Sequence, residues 1–181
     1  TLPHPYDSIG LPSNPNQQVL MNELLKTDIS ISSFRQSGYL EYSQDINNLS
    51  LNAGTRSSYW SYNEELLVSP RISLAYAPNW EKDVVFRLAS GIYYQSPFYR
   101  ELRYPSGEVN QNIKSQKSVH YVVGSDYLFY KWGRPFKWIT EIYYKKLDDL
   151  IPYKVDNVRI QYLAENNSKG YAPGIDLKIN G

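Results

Sequence analysis

Two histidines, two acidic doublets and one loop mixing charge with aromatics are what this 181-residue chain offers by way of chemistry. His4 and His120 are far apart in sequence, and His4 stands in a proline-rich leader. A metal site at either would need carboxylates that the sequence does not place beside it. His120 is the one realistic base for a hydrolase built on this chain; otherwise it is a polar residue on a wet surface. Glu64-Glu65 and Asp148-Asp149 are adjacent pairs, and strand neighbours point to opposite faces, so neither doublet alone makes a two-carboxylate acid/base site. Solvated loop positions are the plainer reading of both. There is no glycine-rich phosphate loop and no nucleophile elbow. With no cysteine, disulfide and thiol chemistry are excluded. No catalytic residue, metal ligand or cofactor site is assigned.

The loop from Pro97 to Gln116 is more informative. It sets Arg100, Glu101, Arg103, Glu108 and Lys114 among Phe98, Tyr99 and Tyr104. Mixed charge with aromatics suits contact with a polar ligand. It equally suits a solvated loop that packs on its neighbours.

What would position such a loop is β-structure. Helical periodicity is nearly absent; its best candidate, Gln17 to Lys26, is short. Alternation predicts seven strands over about 29–43, 47–60, 66–78, 83–96, 117–131, 136–151 and 169–180. Several exceed the roughly 5–6 residues of ordinary strands, which favours a large or membrane barrel over a sandwich. Gln44 to Asn47, Pro78 to Lys82 and Trp132 to Pro135 read as tight turns. Ser61 to Glu65, Pro97 to Gln116 and Pro152 to Ser168 read as longer polar links, and Thr1 to Asp28 as a further long loop. Short turns at one end and long loops at the other is the up-and-down pattern of an outer-membrane barrel.

The two faces differ in chemistry. Ile72, Leu74, Leu88, Val123, Ile142 and Ile175 represent one set of alternate positions, and none of that set is charged. The opposite set carries Arg56, Arg71, Arg87, Asp126, Lys137, Glu141, Lys145, Asp176 and Lys178. On the apolar face, Tyr59, Tyr94, Tyr121, Tyr144 and Tyr171 fall at the long-loop end. Tyr42, Tyr76, Phe129 and Trp138 fall at the short-turn end. Two aromatic rims around an aliphatic band match the girdles of a membrane barrel. A soluble antiparallel sheet with one buried face also alternates, but it does not predict the two rims.

Composition agrees. Eighteen tyrosines in a chain of mean hydropathy −0.54 suit a surface wet on one side and apolar on the other. A net charge of +1 gives no general pull toward nucleic acid. No apolar run approaches the ~20 residues of a membrane helix. The chain opens at Thr1 without a signal peptide and stops directly after a strand-like run, so it is expected to be a piece of a larger protein.

Three passages carry a family resemblance: "LVSPRISLAYAPN" (Leu67 to Asn79), "RLASGIYYQSPFYREL" (Arg87 to Leu102) and "NQNIKSQKSVHYVVGSDYLF" (Asn110 to Phe129). They resemble the C-terminal half of the barrel in TonB-dependent outer-membrane receptors, most closely those of Bacteroidetes-type bacteria. There, a strand ending in a small-aromatic-Gln/Arg-x-Pro-x-x-x-Glu-Leu passage leads into a long outer loop. The next strand commonly opens Asn-x-x-Leu/Ile-Lys-x-Glu-x-Ser. Asn112 to Ser118 follows that form, with Gln116 where Glu is common. "ITEIYYKKLDDLIPY" (Ile139 to Tyr153) and "NNSKGYAPGIDLKING" (Asn166 to Gly181) look like the next two strands.

The resemblance covers roughly Gly38 to Gly181. It implies an all-β, antiparallel, up-and-down transmembrane barrel of about 22 strands with a plugged lumen. About seven strands of wall lie in this chain, and residues 1–28 form an extracellular loop; the plug and the other strands lie outside it. It implies location in the bacterial outer membrane and contact with its lipid. It also implies a small nutrient ligand and energy from TonB with ExbB and ExbD acting through the absent plug. Two glycosylation-type triplets, at Asn48 and Asn166, would then be accidental.

On this reading Gln95, Tyr99, Arg100, Glu101 and Arg103 are the candidates for ligand contact. Arg56, Arg87 and Glu141 are the candidates for lumen or plug contact. Two alternatives stand beside it: a soluble tyrosine-rich β-sheet binding module, for instance for carbohydrate, and a barrel hydrolase using His120. The excerpt is expected not to fold by itself, since both lateral strand edges would be unpaired.

Overall fold

The computed structural model describes residues 30–156 and 159–181. Seven long strands form one antiparallel sheet: β1 (Arg35–Ile46), β2 (Leu49–Trp60), β3 (Glu65–Tyr76), β4 (Asp83–Gln95), β5 (Gln116–Lys131), β6 (Arg134–Leu150) and, after a small hairpin, β9 (Ser168–Asn180). Their spatial order is β1-β2-β3-β4-β5-β6-β9, so each strand lies beside its neighbour in sequence, an up-and-down meander. The sheet is open: β1 and β9 are its two edges. The expected leader loop, residues 1–28, lies outside the described residues, as does the candidate helix within it.

The alternation read from the sequence becomes two chemically distinct faces because the register is nearly unbroken. Leu51, Leu74, Leu88, Val123, Ile142 and Ile175 stand in one continuous cross-strand row. These side chains are uncovered: Val123, Ile142 and Ile175 are 56%, 53% and 66% exposed. Above the row, Tyr144 stacks on Tyr171 with centroids 6.4 Å apart. Below it, Tyr127 stacks on Phe129 at 5.3 Å and stands opposite Trp138. Charge on this face is confined to its ends: Lys146 pairs with Asp148 at 3.2 Å beside the long loops, and Lys131 faces Arg134 beside a turn. The face is therefore free of charge through its middle, not to its margins.

Several boundaries differ from expectation, and the first strand begins at Arg35 and not near residue 29. The first turn occupies Asn47-Asn48, not Gln44 to Asn47, because Asn47 takes the left-handed conformation (φ 51°) and β1 stays paired through Ile46. The third occupies Trp132-Gly133 alone, both at positive φ (52° and 74°), the two-residue geometry that matches strand twist. Arg134 and Pro135 already belong to β6. The link from Pro152 to Ser168 is not featureless: β7 (Tyr153–Asp156) and β8 (Arg159–Tyr162) form a separate hairpin.

One seam in the sheet is half open. β3 and β4 are paired only from Arg71–Gly91 down to Tyr76–Phe86. Pro70, which has no N–H to give, sits where that pairing ceases.

Candidate functional site

The long-loop end of the sheet carries a small apolar core of its own. Trp60, Leu102, Ile113, Ile151 and Ala164 are buried together, with Tyr62, Tyr104, Val109 and Tyr162 packed around them. These residues come from the β2–β3 turn, the 97–115 loop and the 151–167 link, so the three connections fold into one cap. Within the first loop, residues Tyr99–Leu102 form a single 3₁₀ turn. Leu102 becomes wholly buried there, while Tyr99 remains 60% exposed.

Polar side chains join these connections through each other's backbone. The Glu65 carboxylate accepts from the Ser115 N–H at 3.0 Å and its hydroxyl at 2.6 Å. Asn63 Nδ2 donates to the Ile113 carbonyl at 2.7 Å. Asn110 Nδ2 donates to the Ala164 carbonyl at 2.7 Å. Asn166 accepts from the Lys114 N–H at 2.7 Å and donates to the carbonyls of Lys114 and Asp149, at 2.9 and 2.8 Å. Tyr62 donates its hydroxyl to the Asn110 carbonyl at 3.1 Å, and burial raises its phenol above the usual range. Backbone groups at the ends of buried loop segments need such partners.

Nothing in the sequence marks these residues as anchors. Glu65 reads there as half of a solvated doublet and Asn166 as part of an accidental triplet. The only signal available was their position beside long connections.

The five ligand candidates divide into three groups. Arg100 lies over the rings of Phe98 and Tyr162, at 5.8 and 5.4 Å, and with Arg103 lines a shallow pocket against Tyr104, Ile160 and Tyr162. Tyr99 points out beside them. Glu101 faces inward: it is only 7% exposed and accepts from the Phe98 N–H at 2.9 Å, closing the 3₁₀ turn. Gln95 is on the wall, at the end of β4 opposite Gln116, in a pocket with Tyr93, His120 and Lys145. The structure brings Arg100 and Arg103 together and leaves Gln95 apart from them.

The charged face of the sheet presents the other candidates. Arg87 on β4 reaches Asp126 on β5 at 2.7 Å and extends across β5 toward Glu141 at 3.8 Å, and Lys137 meets the other Asp126 oxygen at 2.9 Å. Gly124 stands between Arg87 and Glu141 in the register, with the Arg87 guanidinium close over it. Arg56 is in a different place, near the long loops, with a 3.4 Å contact to the Ser37 hydroxyl. His120 Nε2 lies 2.7 Å from the Ser118 hydroxyl, its ring against Tyr93 at 4.6 Å. No cluster able to hold a metal ion occurs among the described residues.

A strand-crossed, two-faced wall with turns at one end and a folded cap at the other is matched by one family model, described as TonB dependent receptor-like, beta-barrel, over residues 4–181. The chain belongs to that family. No curated protein matches it. TonB-dependent receptors are transporters of the bacterial outer membrane and not an enzyme family. In outer-membrane barrels as a class, the apolar face is the outward one, the interior is polar, short turns are periplasmic and longer loops extracellular.

Proposed function

We propose that this wall belongs to a receptor that binds a scarce nutrient at its extracellular cap and imports it through a plugged barrel. The observation that carries this reading is the cap itself. It is a folded platform, with Tyr99, Arg100 and Arg103 on its free surface, mounted on a wall with an uncovered apolar belt outside and charge inside. The remaining strands and the plug come from elsewhere in the polypeptide. Arg87 and Glu141 meet the plug, and TonB with ExbB and ExbD supply the energy through it. A soluble binding module would need a second layer over the apolar face, and none of the described residues supplies one.

Comparison of spent growth medium tests the reading. Cells lacking the receptor and cells lacking TonB should leave the same solute unconsumed, while wild-type cells deplete it. If neither deletion leaves any solute behind, the import reading fails.

A further inference from the structure

The lumen face changes character along its length. At the level of Arg71 one row runs Glu41, Gly54, Arg71, Gly91, His120, Lys145 and Ala172 across the seven strands. Four residues closer to the periplasmic turns, another row carries Asp45, Arg87, Glu141 and Asp176. That lower row is acidic on balance, and its arginine is already paired with Asp126. The upper wall is basic on balance, with Glu41 its carboxylate in the Arg71 row, and among the described residues Arg35, Arg56 and Arg71 form no ion pair.

These three arginines converge on one cavity of about 330 Å³, at the extracellular half of the seam between β3 and β4. Ser69 and Tyr93 also line it, and among the described residues no carboxylate does. The cavity exists because pairing of β3 with β4 stops at Arg71–Gly91, leaving the strands apart above that point. Gly91 helps shape it: a side chain there would stand 3.1 Å from the Tyr93 ring and 3.2 Å from Arg71 Cβ, so glycine lets Tyr93 lie down beside Arg71. Arg35 is held 4.4 Å over the Trp60 ring, which fixes the third guanidinium at the rim. Three guanidiniums outnumber the one carboxylate nearby, Glu41, and pair with none, so the potential favours an anion. Each guanidinium fork can give two N–H donors to two oxygens of an oxyacid.

We propose that this cavity binds an oxyanion group, a carboxylate, phosphate or sulfate borne by the imported solute, between Arg56 and Arg71. The Ser69 and Tyr93 hydroxyls complete the contacts. The proposal rests on the import reading above and adds the ligand's charge to it. An acidic side chain of the plug carries the same chemistry, so the test must separate the two sources.

Titration calorimetry of the full-length receptor in detergent, at low ionic strength, with citrate, inorganic phosphate and glycerol, does so. Citrate or phosphate should bind, more weakly as salt is added, and glycerol should not. Arg56→Gln with Arg71→Gln should weaken that binding about tenfold or more, by loss of charge-assisted hydrogen bonds. Arg56→Lys with Arg71→Lys, which keeps the charge but loses the forks, should bind more weakly than wild type and more tightly than the glutamine pair, and guards against a folding defect in the latter. Undiminished binding by the glutamine pair overturns the proposal. So does failure of the wild-type receptor to bind either anion; a melting temperature lowered in the glutamine pair would then assign the arginines to the plug. If the solute found by medium comparison is uncharged, import stands and the anion site falls.

Discussion

Glu65 and Ser115 are fifty positions apart in sequence, yet one carboxylate takes both the N–H and the hydroxyl of that serine. Ser115 is 2% exposed, so its two donors have no recourse to water if the carboxylate is removed. Glu65→Ala should cost about 1–3 kcal/mol, the usual penalty for buried donors left without a partner. The measurement is limited trypsin digestion of whole cells, with cleavage after Arg103 or Lys114 faster than in wild type. Unchanged cleavage would mean that the loop is held by its apolar core alone.

Asn166 makes a sharper case because its two ends do different work. Asn166→Asp keeps the acceptor for the Lys114 N–H but removes the donors that reach the Lys114 and Asp149 carbonyls. It also brings negative charge beside two carbonyl oxygens. The substitution should speed hydrogen exchange in the 163–168 segment at least as much as Asn166→Ala does. A protective effect of aspartate would contradict the bond directions given above.

Arg87 and Asp126 should couple, but modestly. The pair is short at 2.7 Å, yet the arginine side chain is 42% exposed and water screens it. A double-mutant cycle with Arg87→Gln and Asp126→Asn should give about 1 kcal/mol, read from the unfolding of the full-length receptor in detergent. Asp126→Asn should cost more than Arg87→Gln, because the second partner of Asp126, Lys137 at 2.9 Å, is closer than that of Arg87, Glu141 at 3.8 Å.

Leu88 lies mid-height on the apolar face and is 51% exposed. Leu88→Arg should cost about 2–4 kcal/mol near the bilayer midplane and lower the amount of receptor assembled in the outer membrane. Leu88→Ala should leave that amount close to wild type. Equal levels of all three proteins would count against lipid contact at this position.

The wall was legible in the sequence, and the cap was not, for a physical reason. A strand's facing is written locally, in period two, so Leu74, Leu88 and Val123 announce themselves without knowledge of their partners. The cap is held by bonds between residues some fifty positions apart, such as Asn63 with Ile113 and Asn110 with Ala164. An asparagine in a loop looks the same whether it meets water or a distant carbonyl. The β7–β8 hairpin escaped notice because four-residue strands are too short for alternation to register. Glu101 shows the same limit: charge and a loop position mark it in the sequence, but its bond to the Phe98 N–H is visible only in the structure.

The anchors of the cap have a consequence for how such a receptor changes over generations. Asn63, Tyr62, Asn110 and Asn166 all grip main-chain atoms, which every residue possesses. The side chains presented to the outside, such as Phe98, Tyr99 and Ile160, take no part in that grip. Mutation can therefore rewrite the exposed surface while the scaffold under it stays intact, so diversification of that surface and persistence of architecture need not compete.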